Sequence, residues 1–90
     1  MAKKKPNYVY GVMYQDMDQT SINSDVFREK KAARKLARTL ATEALAFHEE
    51  LRNEYESPQL FLKKSTDGFT ITDEEGYFIE SWEIVTLTVI

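Results

Sequence analysis

The chain has 90 residues, 42% of them apolar and 30% charged, with eleven aromatic side chains: enough for one hydrophobic core, too little for two, and too apolar for a disordered chain. It has no cysteine, which excludes disulfides, thiolate zinc centres and cysteine nucleophiles and mildly favours a reducing, cytoplasmic setting. The net charge is −3, but Lys3, Lys4 and Lys5 carry three of the positive charges; the other residues hold nine bases against fifteen acids, or −6, which argues against a broad electrostatic grip on nucleic acid.

Residues 1–6 read as a basic tail ahead of a single domain over 7–90. The apolar stretch after it, Tyr8 to Tyr14, is too short for a signal peptide and runs into Asp16 and Asp18. No apolar run is long enough to span a bilayer, so no membrane partner is expected.

Asn7 to Tyr14 predicts a strand, because Tyr, Val and Met fit a pleated surface. Tyr8, Tyr10, Val12 and Tyr14 share one face; Val9, Gly11 and Met13 share the other. Both faces are largely apolar, which places this strand inside the sheet. Gln15 to Ser24 reads as a polar connector rich in turn-forming residues. Asn23 is the expected N-cap of a helix, with Ile22 and Phe27 spaced as a hydrophobic staple and Asp25 in the first turn.

From Asp25 to Glu56 there is no Gly or Pro, and good helix formers predominate. Ala33, Ala37, Leu40, Ala44, Phe47 and Leu51 recur at helical period, with Val26, Leu36 and Tyr55 on or beside the same stripe. Ser57-Pro58 ends the helix. Such a helix would be about 48 Å long, against about 20 Å for ordinary strands, so part of it is expected to overhang the sheet.

Three strands follow: Gln59 to Lys64, Phe69 to Thr72 and Tyr77 to Ile90, with turns at Thr66-Asp67-Gly68 and Asp73-Glu74-Glu75-Gly76. A bulge or bend is expected near Ser81 to Glu83. The uncharged run Ile84 to Ile90 would invite pairing with other chains from a free edge, which places it inside the sheet beside the first strand. The predicted fold is a single α+β domain in β-α-β-β-β order. One long amphipathic helix packs on one face of a four-stranded, mostly antiparallel sheet.

Motifs for catalysis are sparse. His48-Glu49-Glu50-Leu51-Arg52 begins like a zinc-protease motif, but Arg52 stands where the second histidine would be. His48, the only histidine, is expected to sit at the border of the apolar stripe. Asp16, Asp18 and Thr20 are spaced like the first calcium-loop ligands, but Ser21 and Phe27 occupy the glycine and closing-glutamate positions, so turn duty is the better reading. There is no nucleophile elbow and no phosphate-binding glycine loop. No enzyme, cofactor, metal or small-molecule substrate is expected.

The most informative pattern is charge along the helix. Arg28, Lys30, Lys31, Arg34, Lys35 and Arg38 make the first half basic, opposed only by Glu29. Glu43, Glu49, Glu50, Glu54 and Glu56 make the second half acidic, opposed only by Arg52. That order opposes the helix dipole, at a few tenths of a kcal/mol per exposed charge. Ordinary solvation, or pairing with the acids that follow in Asp67, Asp73, Glu74, Glu75, Glu80 and Glu83, accounts for part of it. The reading that uses the rest is an interaction domain with a protein partner or with itself as a homodimer, basic half against acidic half. Arg28, Lys31, Arg34, Lys35, Arg38, Leu45, Glu49 and Tyr55 form the expected partner surface. The alternative is a nucleic-acid-binding protein using the basic half, although no aromatic platform is interleaved there.

Overall fold

A computed structural model describes residues 7–55 and 59–89. The basic tail over 1–6, the helix stop at Ser57-Pro58 with Glu56, and Ile90 lie outside the described residues. The elements are β1 (Asn7–Asp16), β2 (Thr20–Ile22), α1 (Lys30–Tyr55), β3 (Phe61–Ser65), β4 (Gly68–Thr72) and β5 (Phe78–Val89). The sheet runs in the order β2-β1-β5-β4-β3 with every neighbouring pair antiparallel. The α+β class, with one helix on a sheet, is as the sequence predicts; the sheet has five strands where four were expected.

The extra strand lies in the connector read as irregular. Asp16 builds the turn that makes it: its Oδ1 accepts the backbone N–H groups of Asp18 and Gln19, each at 2.8 Å. The chain then doubles back, and Thr20 to Ile22 pair with Gln15 to Met13. The pairing continues along the same edge. Asn23 N–H donates to the Val12 carbonyl at 2.9 Å, and Phe27 exchanges both backbone hydrogen bonds with Tyr10, at 2.6 and 2.8 Å. This ties Phe27 to the strand edge, so the helix starts at Lys30 instead of Asp25.

The expected cap and staple are therefore corrected. Asn23 Oδ1 accepts the Asp25 N–H in a local turn, and the first helical bonds run to the Glu29 carbonyl. Phe27 packs on the helix side of the sheet. Ile22 lies on the opposite side, over Gly11, and is 55% exposed. A staple cannot form across a sheet.

Core packing on the helix side rests on small residues. Ala33, Ala37 and Ala41 are fully buried against Val12, Phe69, Ile71, Trp82 and Ile84. Their spacing of four follows one ridge of the helix, which is inclined about 26° to its axis. The contact line thus drifts around the helix as it ascends. Leu45 is drawn in against the core, while Phe47, expected in the core stripe, is 58% exposed. Val26, placed beside that stripe, precedes the helix and is exposed as well.

Helix and sheet lengths converge from both directions. The 26-residue helix is about 39 Å long, and the 10-residue β1 and 12-residue β5 reach about 33 and 40 Å. Beyond Ala41 no helical side chain among the described residues is fully buried. The irregularity in β5 comes earlier than expected. Ile71 pairs with Glu80 but Thr72 with Phe78, so Ile79 is the extra residue. As a result Ile79 and Glu80 both turn toward the core.

Candidate functional site

The structure divides the six bases at the start of the helix into two groups. Lys30 and Arg34 are used within the chain. Lys30 Nζ meets Asp67 at 2.9 Å. Arg34 donates to the carbonyls of Ser65 and Thr66, at 2.9 and 3.0 Å, and its guanidinium lies 4.9 Å above the Phe69 ring. These contacts clamp the first turns of α1 to the β3–β4 turn. Arg34, expected at the partner surface, is largely structural.

Arg28, Lys31, Lys35 and Arg38 make no ion pair among the described residues and are exposed. Lys31, Lys35 and Arg38 share a shallow hollow with Arg34, Ala32 and Glu29. A second hollow of about 250 Å³ lies between helix and sheet, lined by Arg38, Thr42, Leu62, Lys64 and Phe69. Lys64 is the residue that sequence reasoning missed. It pairs with Phe69, whose side chain is in the core, so the pleat sends Lys64 to the helix side of the sheet. The alternation of Leu62 and Lys64 was the available signal. The result is a basic corner built by two elements 26 residues apart, edged by the exposed strand β3.

The acidic half is less organised. Glu49 pairs with Arg52 at 3.1 Å one turn away. Glu43, Glu50 and Glu54 are exposed and make no ion pair among the described residues. Leu45 is withdrawn into the core contact, and the side chain of Tyr55 lies outside the described residues. Of the eight sequence-predicted partner residues, Lys31, Arg34, Lys35 and Arg38 line one hollow, with Arg34 also bonded to the Ser65 and Thr66 carbonyls, while Leu45 is half-buried against the core.

A separate polar cluster sits under the second half of the helix. Glu80 is buried; its Oε2 accepts the Tyr14 hydroxyl at 2.5 Å and its Oε1 lies 2.8 Å from His48 Nε2. Tyr14 is 3.1 Å from Asp16 as well and stacks obliquely on Trp82. Burial, then the hydrogen bond and charge of Glu80, raise the Tyr14 hydroxyl well above its usual range. The backbone N–H groups of Asp18 and Gln19 hold Asp16 below the usual carboxylate range. The cluster pins the helix to the sheet.

A raised tyrosine stabilises the fold while it is neutral. That contribution is complete below about pH 10, the unfolded value, and is lost as pH rises toward the folded one. Tyr14→Phe should destabilise the protein by about 1.5–3 kcal/mol near pH 8. The gap between variant and parent should narrow by about pH 11. Urea melts at the two pH values read this directly; a constant gap would show that Tyr14 is not bonded to Glu80.

Among the described residues no three histidine, aspartate or glutamate side chains converge as metal ligands, and no helix is long and apolar enough to cross a membrane. The chain matches none of the protein families, curated proteins or solved structures with which it was compared.

Proposed function

We propose that the chain is a non-catalytic interaction domain whose basic corner docks an acidic segment of a protein partner. The observation that carries this reading is that Arg38 joins two adjoining hollows, one shared with Lys31 and Lys35 of α1 and one with Lys64 of β3, and none of these four bases is in an ion pair among the described residues. The rest of the chain outside its tail is acidic. A localised basic corner on an acidic body favours a small, charge-complementary partner and steers its approach.

Two features favour an acidic peptide over nucleic acid. Phe69, the aromatic ring lining the corner, is buried beneath Arg34, so no base could stack on it. The surplus of acids elsewhere would repel a long polyanion over about a Debye length of 10 Å. Helix-to-helix self-pairing is weakened because Lys30, Arg34, Glu49 and Arg52 are engaged within the chain.

The test is fluorescence anisotropy with a labelled Asp/Glu-rich peptide and with labelled single- and double-stranded DNA and RNA, at low and moderate salt. Peptide binding should weaken with salt. The double reversal Lys35→Glu, Arg38→Glu should weaken it by roughly tenfold or more. Absence of peptide binding at low salt, or tighter binding of nucleic acid that the reversal abolishes, would overturn the proposal.

A further inference from the structure

The far end of β5 has an open edge. Its partner β4 stops at Gly68, opposite Glu83, while β1 continues alongside β5 to Val89. Residues 85–89 therefore have a strand on one side only among the described residues.

Backbone polarity shows which groups are left over. Tyr10 and Val12 bond away from β5, to Phe27 and Asn23. Their partners in β5, Thr86 and Ile84, therefore form non-hydrogen-bonded pairs with β1 and point outward as well. Ile84 N–H does so, reaching the Asp67 carbonyl at 2.7 Å. By alternation, Thr86 and Thr88 direct their N–H and C=O groups to the open edge, where β4 has ended.

Residues 85–89 carry no charge and no proline, and among the described residues no bulge interrupts them and no further strand pairs with them. Val85 and Leu87 project from the sheet face opposite the helix, where Leu87 packs over Gly11 beside Ile22. Thr86 and Thr88 project on the helix side and are exposed.

We infer that this edge is the docking site for a second copy of the chain, through antiparallel pairing of β5 with β5 about a two-fold axis at Leu87. In that register Thr86 of each copy faces Thr88 of the other. Each facing pair exchanges both backbone hydrogen bonds, so all the outward groups of Thr86 and Thr88 are satisfied. Leu87 meets its own mate, and the apolar strip extends across the junction. A like-with-like strand suits this edge because it carries no charge to repel itself, and a two-fold axis closes the assembly at two copies. This surface is separate from the basic corner and does not depend on it.

The salt response identifies the mode. Two acidic bodies repel, so strand pairing should tighten as salt rises, whereas helix pairing by opposite charges would loosen. Sedimentation equilibrium of the full chain should show a dimer, tighter at high salt, with the Thr86 and Thr88 amides protected from hydrogen exchange. Thr86→Lys with Thr88→Lys sets lysine against lysine twice and should raise the dissociation constant by about 100-fold. Thr86→Lys with Thr88→Glu sets opposite charges together and should restore the dimer to within about tenfold of the parent. Thr88→Pro removes an outward N–H without touching the β1 ladder and should also give a monomer. Lys35→Glu with Arg38→Glu should leave dimerisation intact. Circular dichroism confirms that each variant is folded. A monomer at both salt concentrations, a dimer with fast-exchanging Thr86 and Thr88 amides, or an unchanged dissociation constant in the folded double-lysine variant would overturn the inference.

Discussion

Gly68→Ala should destabilise the protein by about 3 kcal/mol or more, a large share of the stability of a domain this size. A β-carbon at Gly68 would lie 2.2 Å from the Trp82 carbonyl oxygen and 2.9 Å from the Glu83 Cα. Both are backbone atoms, so no side-chain rotation relieves the contact. β5 cannot retreat, because β1 pairs with it from Asp16–Glu80 to Asn7–Val89 on its other side. The β3–β4 turn is fixed too, by Lys30 on Asp67 and Arg34 on the Ser65 and Thr66 carbonyls. The strain must open the β4–β5 ladder. Urea unfolding followed by fluorescence of the single tryptophan measures this; a loss under about 1 kcal/mol would mean the strands separate more easily than their packing implies.

Trp82→Ala should cost about 3–5 kcal/mol. Trp82 is 5% exposed, belongs to the same cluster as the alanine ridge of α1, and stacks on Tyr14 with ring centroids 5.4 Å apart. A rigid helix on a sheet cannot collapse into the space an indole leaves, so the cavity persists. Tyr14 would lose the ring that orients it, which should loosen its bond to Glu80 as well. Thermal melts followed by circular dichroism give the cost, since the variant has no tryptophan. A loss under about 1.5 kcal/mol would show that the helix can settle onto the sheet and close the cavity.

The two halves of the helix differ in how they are attached. The first half is clamped at its polar flank by Lys30 and Arg34, which leaves Lys31, Lys35 and Arg38 on the outer side. The second half is held by His48 on Glu80. The reversed charge order thus has a structural component: two of the six bases meet the acidic turn and its carbonyls. Of the other four, Lys31, Lys35 and Arg38 line the corner on which the interaction reading rests, and Arg28 does not.

Charge reversal at Lys35 and Arg38 and the paired substitutions at Thr86 and Thr88 act on separate surfaces. Their effects should therefore be independent, because residues without shared partners contribute additively. A chain that binds acidic peptide as a monomer would separate the two proposals.

Sequence by itself determined what depends on local periodicity and turn chemistry. The run of helix formers, the alternation in β1 and β5 and the glycine-bearing turns each follow from one residue's preference or a fixed spacing; the structure keeps the alternation and the turns, and the helix from Lys30 to Tyr55. The β1–β5 pairing was also legible, but the run from Ile84 was expected inside the sheet, and residues 85–89 have β1 on one side only among the described residues, because β4 ends at Gly68. Tertiary structure decided what depends on which elements meet. Phe27 was drawn into a bridge with Tyr10, which delayed the helix to Lys30. The short strand Thr20–Ile22 exists because β1 offers it an edge. Leu45 went in and Phe47 out because the alanine ridge, not the broad apolar stripe, met the sheet. Lys64 joined Arg38 across 26 residues of sequence, and β4 stopped short of Thr86. No local preference encodes those outcomes: they arise when buried area and backbone hydrogen bonds are satisfied for the whole chain at once.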